Sequence, residues 1–210
     1  MFSLGEIESQ CKKAARGSGL SWGLAEDAGL VARLLSEVGL PGSETIALNL
    51  KKLAFSELYR VEKKEDIFGA AERPLSGFLI GISILDRLSE FPDSKTVDFG
   101  EIVGPLAFVG SLLKLQGSNY SFWVRWVGFH CCLDSTGLTV HGKNLNPESV
   151  HKLEFSIFQN LKISSINEIV IPKVAVECWK ELTDLAHRTY VPSSEKSRMF
   201  GAGAGVLDND

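Results

Sequence analysis

The apolar positions of the chain follow a helical rhythm first and a strand rhythm later. Leu4, Ile7, Cys11 and Ala14 recur at intervals of three and four, the spacing of one helix face. Ser3 and Glu6 open that run three residues apart, the pattern of a capping box. Arg16-Gly17-Ser18-Gly19 marks its end. A second helix starts at Ser21. Leu24, Ala28, Val31, Leu35 and Val38 form its stripe, and Gly39 and Pro41 its stop. The spacing predicts a third helix from about Ser43, with Ile46, Leu50, Leu53 and Leu58 on one side. Residues 74–91 hold a buried helix with Ser76 as its cap, and residues 101–116 look similar.

The period changes at Tyr120. Residues 120–134 are rich in aromatic and β-branched side chains and alternate near period two. Val127-Gly128 and Ser135-Thr136-Gly137 are turn candidates, so a meander of three strands runs to His141. Leu153, Phe155 and Ile157 alternate again, and residues 168–176 read as a further strand or a passage from strand to helix. Val176, Trp179, Leu182 and Ala186 mark a last amphipathic helix that delivers Arg188-Thr189-Tyr190 to the terminal segment. Helices first and strands later imply an α+β fold. A helical N-terminal half packs on a mostly antiparallel sheet, followed by a C-terminal helix and an ordered tail. One domain is expected over residues 1–210, helix-rich in 1–116, strand-rich in 117–176, with a helix and glycine-rich tail in 177–210.

Composition narrows the function. Hydrophobic residues make up 44% and charged residues 23% of the 210, enough for a sizeable core. The net charge of −4 and the absence of a basic stripe argue against a nucleic-acid partner. No segment reaches the roughly 20 apolar residues of a membrane span. Met1 to Glu6 carries no signal pattern, so the expected place is the cytoplasm and the four cysteines are expected to be free thiols.

Candidate chemistry collects in two stretches. The tail from Thr189 to Asp210 combines Tyr190, Pro192, a Ser193-Ser194-Glu195-Lys196-Ser197-Arg198 cluster and glycines at 201, 203 and 205. Glu195 and Arg198 are three apart and can pair on one face. Gly201 and Gly203 leave backbone N–H groups open to an anion. Without a lysine or a flanking strand they make neither a P-loop nor a dinucleotide turn, and no cofactor is implied. The second stretch is Arg16-Gly17-Ser18-Gly19-Leu20-Ser21-Trp22-Gly23-Leu24-Ala25-Glu26. Here a turn feeds a helix N-terminus, which attracts anions. Arg16 can add a bidentate clamp, Trp22 a wall, and Glu26 an acid in the first turn. The plain structural account of Trp22 is a core residue at a helical corner.

His130-Cys131-Cys132 suggests a metal. In a strand His130 and Cys132 share a face and Cys131 opposes them. Two same-face ligands are too few for zinc, so no metal is expected and the cysteines read as small apolar residues. Asp86, in an apolar helix, is either paired to Arg87 or a neighbour, or a pocket carboxylate.

Lys12-Lys13-Ala14-Ala15-Arg16-Gly17, Trp22-Gly23-Leu24-Ala25-Glu26-Asp27-Ala28-Gly29 and the segment 188–210 resemble the bacterial family called domain of unknown function 3726. Gly81 to Asp86 and Gly104-Pro105-Leu106 are similar more loosely. The resemblance runs along the whole chain. It implies no activity, and its motifs coincide with the two stretches chosen on chemistry.

The expectation is a site for a small anionic metabolite of carboxylate type. Arg16, Trp22, Arg188, Ser194, Arg198, Gly201, Gly203 and Asp208 would bind it. Glu195 or Glu26 would act as base and Tyr190 as proton donor if the protein is an enzyme. The alternative is a non-catalytic accessory protein, or a homo-oligomer whose tail docks on a sister subunit.

Overall fold

The computed structural model describes residues 2–53, 74–90, 96–134, 137–159 and 174–190. Its helices are α1 (Leu4–Gly17), α2 (Trp22–Glu37), α3 (Gly42–Leu53), α4 (Gly77–Asp86), α5 (Pro105–Leu112) and α6 (Val176–His187). Its strands are β1 (Leu75–Ser76), β2 (Thr96–Phe99), β3 (Ile102–Val103), β4 (Tyr120–Trp126), β5 (Phe129–Asp134), β6 (Gly137–Gly142), β7 (Ser149–Val150) and β8 (Leu153–Gln159). The fold is α+β.

The capping box forms as the sequence predicts. The Ser3 amide donates to Glu6 Oε2 at 2.7 Å and the Glu6 amide donates to Ser3 Oγ at 3.2 Å. Ser21 caps α2 and Ser76 caps α4. The meander also forms. β4 pairs with β5 and β5 with β6, both antiparallel.

The sheet has an order that the local pattern does not carry. Its five strands run β2-β8-β4-β5-β6, so β8 inserts between β2 and β4. A second sheet, β1-β3-β7, is built from strands of two residues. Three strands therefore lie before residue 117, in the part expected to be helix-rich. β1 and β3, of two residues each, are too short to show a period of two.

One core joins the helices to the sheet. All eight residues of α5 are buried. Phe108 on α5 meets Phe99 of β2 at 5.8 Å and Phe155 of β8 at 5.3 Å, both edge to face. The parallel strands β1 and β3 each lead straight into a helix, so α4 and α5 start side by side. Asn49 of α3, 1% exposed, ties those two starts together. Its Nδ2 donates to the Thr45 carbonyl at 2.9 Å and to the Gly104 carbonyl at 3.5 Å, and its Oδ1 accepts from Ser76 Oγ at 3.2 Å.

The stripe of α6 is shifted from the expected one. Cys178, Leu182 and Ala186 are buried, whereas Val176 is 78% exposed. The helix meets α1 through this row of i, i+4 neighbours, and Val176 lies outside it. Trp179 stacks on Phe2 at 3.6 Å instead. Asp86 ends α4 exposed, and Arg87 pairs with Glu90. Among the described residues no helix is long and apolar enough to cross a membrane. Leu58, residues 168–173 and the tail from 191 onward fall outside the described residues.

Candidate functional site

The first candidate stretch folds into a corner between three helix ends. The end of α1 is a Schellman motif. The Gly19 amide donates to the Arg16 carbonyl at 2.9 Å and the Leu20 amide to the Ala15 carbonyl at 3.2 Å. Gly19 sits at φ 95°, a left-handed conformation that this motif requires and glycine takes without strain. The turn reverses the chain, and α2 runs back along α1. Three side-chain pairs mark the antiparallel seam. Arg16 lies over Trp22, Lys12 Nζ meets Glu26 Oε1 at 2.7 Å, and Arg33 meets Glu8 at 3.2 Å.

Arg16 is held in place twice. Its Nη1 donates to the Leu20 carbonyl, and its Cζ stands 4.5 Å from the centre of the Trp22 ring. Such a contact contributes about 0.5–1 kcal/mol at an exposed site. Trp22 is 65% exposed, so it is not the core residue of the plain account. It is the first residue of α2, ahead of the buried stripe of that helix, which begins at Ala25. Glu26 is the fifth residue of α2 rather than a first-turn acid, and its carboxylate is engaged by Lys12.

α6 completes the corner. It lies along α1 in the same direction. Phe2 stacks on Trp179, Gln10 Nε2 donates to Thr183 Oγ1 at 2.9 Å, and Gly17 meets the last turn of α6. A side chain at Gly17 would collide with the Leu185 carbonyl and stand 3.4 Å from Arg188 Cβ. The missing Cβ is what lets α6 approach so closely. Arg188 is therefore next to the turn that holds Arg16. Its guanidinium has no ion pair or hydrogen-bond partner among the described residues. His187 and Tyr190 follow, with ring centres 5.2 Å apart and Tyr190 54% exposed.

The charge balance at this corner is positive. α1 and α6 both end here, each with about half a negative charge at its carbonyl end. Two full charges on Arg16 and Arg188 outweigh those halves, and the α2 N-terminus adds about half a positive charge. The structure thus sets Arg16 over Trp22 with Arg188 beside the same turn, leaves Glu26 one turn away, and places Tyr190 against His187. Ser194, Glu195, Arg198, Gly201, Gly203 and Asp208 lie outside the described residues.

A second polar cluster crosses the outer face of the five-stranded sheet. The register aligns Asp98, Glu154, Arg125, His130 and His141, one from each strand. Arg125 Nε donates to Glu154 Oε2 at 2.7 Å, and Lys152 Nζ reaches Glu154 at 3.0 Å and Asp98 at 3.1 Å. Lys152, then Arg125, hold the Glu154 carboxyl below the usual carboxylate range. His130 and His141 stack at 4.8 Å. Cys131 faces the core and Cys132 the outer side, as the strand period predicts. Burial pushes the thiols of Cys11 and Cys131 upward and that of Cys178 up to about 12. These three behave as small apolar residues. Among the described residues no group of three or more His, Cys, Asp and Glu side chains could hold a metal ion.

His141 and the paired row escaped the sequence reading. The ladder pairs Asp134 with Gly137 and hence His130 with His141.

Residues 2–73 match a family model described as "Protein of unknown function (DUF3726)". The match spans α1, α2 and α3, including Arg16, Trp22 and Glu26. The chain resembles that family over this stretch, about a third of its length. No curated protein and no solved structure matches the chain.

Proposed function

We propose that this protein binds a small anionic metabolite, of carboxylate type, at the corner formed by the ends of α1 and α6 and the start of α2. The observation that carries this reading is the pair of arginines. Arg16 is fixed over an exposed tryptophan, and Arg188 stands beside the same turn with no partner among the described residues. A chain of net charge −4 that sets one arginine over an exposed ring and a second beside the same turn has a local field suited to an anion. A planar carboxylate fits the fork of one guanidinium and the plane of the other. Tyr190, two residues beyond Arg188 and 54% exposed, would give the site a proton donor for catalysis. Ser194, Glu195, Arg198, Gly201, Gly203 and Asp208 belong to this proposal as residues that would close the site.

The test is a melting-temperature screen of the full chain against small mono- and dicarboxylates. The reading expects at least one to raise the Tm of the wild type and to leave Arg16→Ala unmoved. Turnover of that compound would make the protein an enzyme rather than an accessory binder. A panel in which no anion shifts the wild type, or in which Arg16→Ala responds equally, contradicts the reading. The exposed rings of Trp22 and Tyr190 favour a second reading, a surface for a sister subunit. Mass measured across a concentration series separates the two.

A further inference from the structure

The outer face of the sheet carries a feature independent of the corner. His130 on β5 and His141 on β6 are directly opposed in the register, both exposed, with ring centres 4.8 Å apart. We propose that they form a two-histidine site for a divalent transition metal of the imidazole-binding kind.

Distance carries the argument. A metal at about 2.0–2.1 Å from an imidazole nitrogen stands about 3.2 Å from the ring centre. Two rings sharing it are then about 4.5 Å apart at a square angle and about 5.2 Å apart at a tetrahedral angle. The observed separation lies between these limits. The rings are 22° from parallel, so their lone pairs converge only after a turn about χ2. That torsion is broad in histidine, and both side chains are exposed. The strand ladder fixes the two Cα atoms, so the chelate forms without moving backbone.

Charge permits it. Arg125, the neighbour of His130 along the row, is paired to Glu154 and drawn over the Trp123 ring at 5.2 Å. Lys152 is neutralised between Glu154 and Asp98. The charges of the row cancel before the histidines are reached. β6 is the last strand in the order, so the pair stands at the open side of the sheet. With two protein ligands the ion is labile and keeps positions for water or an outside donor. Imidazole suits nickel and copper, with copper bound the more tightly.

A purely structural stack would add about 0.2–1 kcal/mol to the strand pairing and nothing to metal affinity. Titration calorimetry of the full chain with Ni(II) separates the two. The expected result is one equivalent bound, with affinity falling at least about tenfold in each of His130→Ala and His141→Ala, the order that even an outer-shell partner commands. Cys132→Ser, on the same face, should bind as the wild type does. His151→Ala and His187→Ala, the remaining histidines, should bind unchanged. Retention of binding in both His130→Ala and His141→Ala, or no binding by the wild type, overturns the proposal. Unchanged melting of the two alanine variants shows that any loss is not a loss of fold.

Discussion

The corner and the sheet row both gather charged side chains and are assembled in opposite ways. At the corner, Arg16 and Trp22 are six positions apart, joined by a turn whose hydrogen bonds are all local. Only α6 comes from far along the chain, and it is seated through backbone contact at Gly17. In the row, no two neighbours share a strand, and each side chain is placed by the ladder beneath it. The corner therefore depends on a few backbone positions, while its charges are left open. The row depends on no single position, and most of its charges are already satisfied. Free charge at a finely seated junction suits ligand recognition. Satisfied charge on a rigid platform suits a site that needs only two fixed ligands.

Three substitutions sharpen this contrast, from the largest effect to the smallest. Gly17→Val forces a side chain against the Leu185 carbonyl. It should cost about 3 kcal/mol, the upper end for overpacking, because the obstacle is backbone. Denaturant unfolding checks the loss. In whatever fraction stays folded, anion binding should disappear while Ni(II) binding persists, since Gly17 touches only the corner. Loss of both together would break the distinction. Ser21→Ala removes the cap of α2, where the Leu24 amide meets Ser21 Oγ at 3.4 Å. The expected cost is about 1 kcal/mol or less, since the bond is long. The measurement is the same unfolding curve, with the fluorescence of Trp22 reporting fraying at the first turn. His141→Ala should change stability by no more than about 0.5 kcal/mol, because an exposed cross-strand pair contributes little.

The parts legible in the sequence were those set by neighbours in the chain. Ser3 with Glu6 gave the capping box, Gly19 the end of α1, and Val127-Gly128 the turn between β4 and β5. Arg16 and Trp22 were singled out from the turn that feeds a helix N-terminus; the fold sets Arg16 over Trp22 and Arg188 beside the same turn. What stayed hidden was non-local. The insertion of β8 between β2 and β4 depends on pairs such as Val97 with Phe155, which no local period encodes. The strands Leu75–Ser76, Ile102–Val103 and Ser149–Val150 are too short to leave a pattern. His130 could be assigned a face but not a partner until the register supplied His141.

The central claim is that Arg188 and Arg16 together bind an anion, rather than serving only to balance two helix ends. Arg188 decides it most directly, because nothing among the described residues pairs with it. Calorimetric titration of the carboxylate that most raises the wild-type Tm should give no measurable heat of binding with Arg188→Ala. With Arg188→Lys it should bind at least about tenfold more weakly, since a point charge cannot replace a planar fork. Both variants should melt within about 0.5 kcal/mol of the wild type. An Arg188→Ala protein that binds the same compound with wild-type affinity would contradict the account.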